Sequence, residues 1–302
     1  MIDGILNVYK EKGYTSHDVV ARLRGMLKQK KIGHTGTLDP DATGVLPVCL
    51  GKATKAADML TDSGKEYEAV LLLGIKTDTQ DISGNILEEK AVSVREEEVI
   101  DIVRSFVGSY EQIPPMYSAL KVNGKKLYEY AREGVEIERK SRQVSIYGIH
   151  IQNINLPEVS FRVRCSKGTY IRTLCYDIGE KLGCGGCMKS LVRTETSGYV
   201  LADAKKLEEI EQYIKTGRLE EILKPVDGVF QNYPRYTVKE EYEHYLYNGN
   251  PIDTDWLEEK KPAEEYGQAD QVRLYDRQGG FIGIYRQKGD ILKPVKIFWR
   301  KE

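Results

Sequence analysis

Asp39 stands in the stretch KIGHTGTLDPDATGVLPVCLGKATK, residues Lys31 to Lys55, where four glycines and two prolines surround it. That density of Gly and Pro excludes a helix interior. The apolar run Val45, Leu46, Val48, Cys49 and Leu50 just after it excludes a flexible linker. The pattern is that of a shaped loop feeding a buried strand, from which a scaffold presents a functional carboxylate. Asp-Pro by itself starts ordinary turns, but a simple turn does not require so many special residues around it. His34, between glycines and five residues before Asp39, is the best placed of the four histidines for chemistry.

A second group lies in SKGTYIRT, residues 166–173. Val159, Phe161, Val163 and Cys165 alternate with polar residues as a half-buried strand. The strand breaks at Ser166-Lys167-Gly168, and a helix through YIRTLCYDIGEKL follows, with Gly183 placed to end it. Tyr170 and Arg172 therefore fall in the first helical turn. A cation there opposes the helix dipole, so Arg172 is expected to have a carboxylate partner. Aromatic and guanidinium groups together also suit base stacking and phosphate contact.

Other chemistries fit poorly. A P-loop needs four residues between its first glycine and the Gly-Lys pair, but six separate Gly44 from Gly51-Lys52, and Ala53 follows. The loop holds no G-x-G-x-x-G, and the chain has neither a G-x-S-x-G elbow nor an H-E-x-x-H helix. Cys184 and Cys187 form CGGC, yet no second ligand pair stands out among the other three cysteines and four histidines. The simpler expectation is a turn whose cysteines pack as small apolar groups.

The elements that must position these residues are legible in outline. Ser16 is expected to cap a helix through VVARLRGMLKQ, with Val19, Val20, Leu23, Met26 and Leu27 on one face. Lys65 to Ile75 reads as a strand that becomes fully buried. Ser93 with Glu96 reads as a capping box for a helix through VIDIVRSFVG, ended by Gly108. The segment IPPMYSALKVNGKKLYEYAREG has no clean period, and a long irregular stretch inside a compact domain is usually functional. From about Asn232, short strand-like pieces alternate with turns such as NGNP and RQGG. They suggest a small β-rich module after a linker near Gln231–Pro234, a boundary that few contacts should cross.

At 302 residues and 40% hydrophobic content the chain can build a proper core. Its longest apolar run, AVLLLGI, is too short to span a membrane. The N-terminus lacks the order of a signal peptide, and five cysteines suit reduced thiols, so a cytoplasmic location is expected. The net charge of −1 is segregated. Residues 22–31 carry five cations and no acid, and the last stretch is basic, against acidic runs such as EEEVID.

GHTGTLDPDATGVLPVCLGKATK, KEYEAVLLLG with KTDTQDISG, IPPMYSALKVNGKKLYEYAREG, and CSKGTYIRTL with LGCGGCMKSLVRT occur in this order. In these motifs the chain closely resembles the bacterial tRNA pseudouridine-55 synthases, the TruB family, over nearly its whole length. One departure is Lys10-Glu11-Lys12-Gly13, where the family has Lys-Pro-x-Gly.

The resemblance implies an α+β fold: a catalytic domain around a central, mostly antiparallel mixed sheet flanked by helices, plus a small PUA-like RNA-binding domain. The expected limits are 1–231, with a thumb-like insertion at about 111–142, and 232–302. It implies isomerisation of uridine 55 in the tRNA T-loop to pseudouridine on a flipped-out nucleotide, with no cofactor and no metal. Asp39 matches the family's essential carboxylate and Arg172 its partner. Tyr67 matches the tyrosine that stacks on the target base, Tyr170 and Leu191 further pocket residues, and His34 the residue that fills the space the nucleotide leaves. The implied partner is tRNA alone, with a monomeric enzyme, no membrane and no obligatory protein. Two alternatives stand beside this: a guide-RNA-dependent synthase of the dyskerin type, and a tRNA-folding chaperone without chemistry.

Overall fold

A computed structural model describes residues 1–61, 64–259 and 271–299. The chain begins with β1 (Gly4–Lys10), α1 (Ser16–Leu27), β2 (Ile32–His34), β3 (Thr43–Leu50), the short α2 (Ala57–Thr61) and β4 (Lys65–Leu73). A small hairpin, β5 (Ile75–Thr77) and β6 (Ile86–Glu89), precedes α3 (Glu96–Arg104) and β7 (Gly108–Gln112). Another, β8 (Lys121–Val122) and β9 (Lys125–Lys126), is followed by α4 (Leu127–Arg132) and the long β10 (Arg142–Asn155). Then come β11 (Glu158–Cys165), α5 (Ile171–Lys181), β12 (Gly186–Thr196), β13 (Tyr199–Val200), α6 (Leu207–Lys215) and β14 (Leu223–Lys224).

Ten of these strands form one sheet, with the path β14-β1-β3-β12-β4-β11-β10-β7, while β2 joins β3 and β13 joins β12. Its pairings are antiparallel except one. β3 and β12 run parallel, Thr43 opposite Val192 and Gly44 opposite Arg193. This is the mixed, mostly antiparallel sheet of an α+β protein. Gly44 makes the parallel seam possible: its φ is +105°, and a Cβ would lie 2.3 Å from the Arg193 carbonyl oxygen.

Helices α3 and α5 cover one face over Leu71, Val159, Phe161 and Val163. Around Leu6, Val8, Leu46 and Val48 the sheet is covered by α1 and α6. Gly179 on α5 meets the turn before β12 so closely that a Cβ would sit 2.2 Å from Gly186 N. Cys184 and Cys187 flank that turn as buried free thiols, and burial pushes Cys187 up to about 11, as for an inert packing group.

Several local expectations shift. The cap of α1 is Thr15, which accepts from Asp18 N while Asp18 accepts from Thr15 N. Ser16 Oγ instead serves the loop of Asp39. The cap of α3 is Arg95, whose N–H Glu98 accepts, and the helix stops at Arg104, before Gly108. Strand β4 is not fully buried: Tyr67, Ala69, Leu71 and Leu73 point inward, while Glu66, Glu68, Val70 and Leu72 stay half-exposed. An antiparallel sheet can leave one face wet.

The last described segment forms a second sheet from β15 (Arg235–Thr237), β16 (Ile252–Asp253), β17 (Gln271–Tyr275), β18 (Phe281–Lys288) and β19 (Ile291–Ile297), ordered β15-β17-β18-β19-β16, with α7 (Glu243–Tyr247) between β15 and β16. Its junction with the large sheet is not sparse. Ile284 and Phe298 are buried in one cluster with Ile5, Val45, Cys49, Tyr199 and Phe230. Phe230 lies 6.0 Å from Phe298 and 6.4 Å from Phe281, and Lys55 Nζ donates to Ile297 O at 2.8 Å. Apolar faces on both sheets need cover, and each supplies the other's. Among the described residues no helix is long and apolar enough to cross a membrane.

Candidate active site

The loop from β2 to β3 is pinned from below by the N-terminal strand and helix. Leu38 is buried; its N–H donates to Ser16 Oγ at 2.9 Å, and Ser16 Oγ donates back to Leu38 O at 3.3 Å. Lys10, with no exposed surface, donates to the carbonyls of Tyr14 at 2.6 Å, Pro40 at 3.0 Å and Glu11 at 3.2 Å. Burial lowers its pKa to about 8, against the opposing pull of Asp39 and Asp41. Gly13 N donates to Pro40 O as well. Lys10 and Gly13, which the chain keeps despite Glu11, thus hold Asp39 between two fixed neighbours.

Arg172 comes from the other direction, in the first turn of α5. Its Nε lies 2.9 Å from Asp39 Oδ2 and its Nη2 donates to Asp39 Oδ1 at 3.1 Å, a two-pronged pair. This is the carboxylate partner expected from helix position. The guanidinium is 6% exposed and is held further by Thr79 O at 3.0 Å, Tyr117 O at 2.8 Å and the Asp81 carboxylate at 3.7 Å. The Asp39 side chain remains 40% exposed, with spare acceptor capacity on each oxygen. Burial pushes its carboxyl above the ordinary 3.8; Arg172 pulls it down, Asp81 adds to the rise and Lys10 opposes it. Arg172 thus limits the rise and does not reverse it.

Tyr67 on β4 and Leu191 on β12 are buried in the same cluster as Leu38. Burial pushes the Tyr67 phenol up while Arg193, opposite it on β12, pulls it down. Arg193 is 1% exposed and donates to Val45 O at 2.7 Å and Gly36 O at 3.1 Å. His34 Nδ1 accepts from Gly36 N at 3.3 Å; burial first, then Arg193 and His17, lower its pKa and favour the neutral ring. Tyr170 is the N-cap of α5 rather than its first residue. Its backbone is bonded to Gln112 and its ring lies against the Arg142 guanidinium.

The structure therefore joins Asp39 to Arg172 directly, and Tyr67 and Leu191 to the apolar floor beside Leu38. Lys10, Asp81 and Arg193 belong to the same site and were not singled out by residue type. Phase could have found two of them. Leu6, Val8 and Lys10 share one face of β1, and Leu191 and Arg193 share one face of β12.

This fold is that of a pseudouridylate synthase. The chain belongs to the TruB family of these enzymes: residues 24–171 match the TruB family pseudouridylate synthase N-terminal domain, and residues 172–231 match the tRNA pseudouridylate synthase B C-terminal domain. It is 53% identical over 307 residues to the tRNA pseudouridine synthase B of Lachnoclostridium phytofermentans, covering 98% of this chain and 100% of that protein. The protein of the same name from Clostridium kluyveri is 47% identical over 298 residues, with 98% and 100% covered. Among solved structures, a chain of a Cbf5-Nop10-Gar1 complex is similar at a TM-score of 0.75 and 26% identity, covering 98% of this chain and 85% of that one.

Proposed function

We propose that this protein converts one uridine of tRNA, position 55 in the T-loop, to pseudouridine, with Asp39 as the essential carboxylate. The observation that carries this reading is the two-pronged Arg172–Asp39 pair, formed between the β2–β3 loop and the first turn of α5, with the arginine buried and the carboxylate partly open to solvent. The N1–C1′ bond of the nucleotide breaks and a C5–C1′ bond forms, while a proton leaves C5 and one is gained at N1. Atoms and electrons balance, so the reaction consumes no second substrate. Whether the carboxylate adds to the nucleotide or removes a sugar proton, it must be ionised, and Arg172 favours that form.

In this reading Tyr67 stacks on the extruded base, Tyr170 and Leu191 complete the pocket, and His34 fills the vacated space. Buried, pre-positioned side chains suit a site that must offset a few kcal/mol of lost stacking. The insertion 111–142 closes on the T-loop; Tyr128 in it lies 5.3 Å from both the Lys126 and the Arg132 cation, a pairing of ring and charge that suits RNA. The module 232–302 extends the RNA contact through Lys288, Lys293 and Lys296; Arg300, expected in the same basic tail, lies outside the described residues. The enzyme acts as a monomer in the cytoplasm, without guide RNA.

Incubating the purified protein with an unmodified tRNA transcript, then mapping pseudouridine, tests this. Product at position 55 with protein and tRNA alone is the expected result. Product only after adding a guide RNA supports the dyskerin-type alternative, and tight binding without product supports the chaperone.

A further inference from the structure

The insertion 111–142 leaves the large sheet beside Gln112 and rejoins it at Arg142, and these two residues face each other across the β7–β10 ladder. Both reach back to one place, the turn that starts α5. Gln112 has no exposed surface; its Oε1 accepts from Tyr170 N at 2.8 Å and its Nε2 donates to Tyr170 O at 3.0 Å. Nε2 also donates to the Tyr110 hydroxyl, so both of its N–H groups are used. Arg142 donates to Gly168 O and lays its guanidinium 4.7 Å from the centroid of the Tyr170 ring. Two residues further on, Arg172 holds Asp39 with Nε and Nη2, while Nη2 also donates to Tyr117 O, inside the insertion.

The roots of the insertion and the arginine that grips Asp39 are thus joined through the Gly168–Tyr170 turn. From this geometry we infer that Gln112 and Arg142 are positioning residues of the site: they set the Tyr170 ring and the first turn of α5, and through them the hold of Arg172 on Asp39. The inference rests on the roles proposed above for Asp39 and Arg172. Gln112 fixes the backbone on both sides of Tyr170, so the turn cannot rotate without breaking two hydrogen bonds. Arg142 lies over the ring and restrains its orientation. A displacement of about 1 Å at Arg172 is enough to cost about a hundredfold in rate.

Full-length Gln112→Met, Arg142→Met and Arg142→Lys decide the matter, assayed on unmodified tRNA for kcat and KM separately, with melting curves to locate the temperature at which each is folded. The expected result is a fall in kcat of about ten- to a hundredfold for both Met variants, KM for tRNA within about threefold, and partial recovery in Arg142→Lys, which keeps the charge and a donor. Wild-type kcat in folded Gln112→Met or Arg142→Met overturns the inference, as does a loss confined to KM. If Gln112→Met does not fold, the two Arg142 variants decide by the same criteria. Asp39→Asn, run alongside, separates the two levels. An active Asp39→Asn defeats the proposed site itself, whereas an inactive one beside fully active Gln112 and Arg142 variants defeats only the positioning role.

Discussion

Two arginine–carboxylate pairs differ in geometry and setting: Arg172 grips both oxygens of Asp39 beside α5, whereas Arg162 donates with Nε and Nη2 to one oxygen of Glu68 on the large sheet. On its wet face, Arg162 meets Glu68 at 2.6 Å, the side chains 48% and 34% exposed. Between the β2–β3 loop and the first turn of α5, Arg172 meets Asp39 at 2.9 Å, the arginine 6% and the carboxylate side chain 40% exposed. Glu68 is pulled below its ordinary range, chiefly by the hydrogen bond from Arg162, whereas burial pushes Asp39 above its own. The ion pair therefore dominates at Glu68, whereas at Asp39 burial outweighs the pull of Arg172. An exposed pair is cheap to lose, but removing one partner of a buried pair leaves an uncompensated charge. Only in the second arrangement is the arginine buried and held by further carbonyls while it grips both oxygens of the carboxylate.

The sharpest way to break the contrast is Arg172→Lys. The charge remains but the planar fork is lost, along with the simultaneous bonds to Thr79 O and Tyr117 O. Turnover should fall by about a hundredfold or more, with a milder change in tRNA affinity, read from single-turnover kinetics. Unchanged turnover means that the fork does not position Asp39.

Lys10→Met tests the buried side through stability. Three carbonyls lose their donor beneath the Asp39 loop, and urea unfolding should show a loss of about 2–3 kcal/mol. A midpoint equal to wild type would remove Lys10 from the account.

The pH profile is a finer probe. Asp39 must be ionised, so kcat/KM should fall on the acid side as the carboxylate takes up a proton. Because burial raises its pKa, that limb should lie above the ordinary 3.8. Arg172 pulls the pKa down, so Arg172→Gln should move the limb of the residual activity to higher pH. A shift to lower pH contradicts the pairing.

The smallest effect is expected on the wet face. Arg162→Gln should leave turnover within about twofold and the melting temperature within about 2 °C. A large loss there would mean that exposure does not separate the two pairs.

Asp39 and Arg172 were each legible because each broke a local rule, one a carboxylate in an over-built loop and the other a cation at a helix start; that they pair with each other came from the family resemblance. Tyr67 and Leu191 came only from resemblance to a family, since an aromatic or leucine in a strand carries no mark of its use; His34 and Tyr170 stood out in their motifs, and resemblance supplied their roles. Lys10 and Arg193 were readable only as charges in phase with apolar neighbours, which requires knowing the strand first. Gln112 gave no local sign, because its partner is backbone 58 residues away. The cluster shared by the two sheets was hidden for a similar reason: Phe230, Phe281 and Phe298 stand in separate segments, and only the packed chain shows them together.

The most direct test of the central claim is single-turnover product formation by Asp39→Asn on unmodified tRNA, measured beside tRNA affinity. The substitution keeps the size of the side chain and one acceptor oxygen for Arg172 while removing the charge. Affinity within about threefold of wild type with no detectable pseudouridine is the predicted result. Turnover at even about a tenth of the wild-type rate would contradict the assignment of Asp39 as the carboxylate on which the reaction depends.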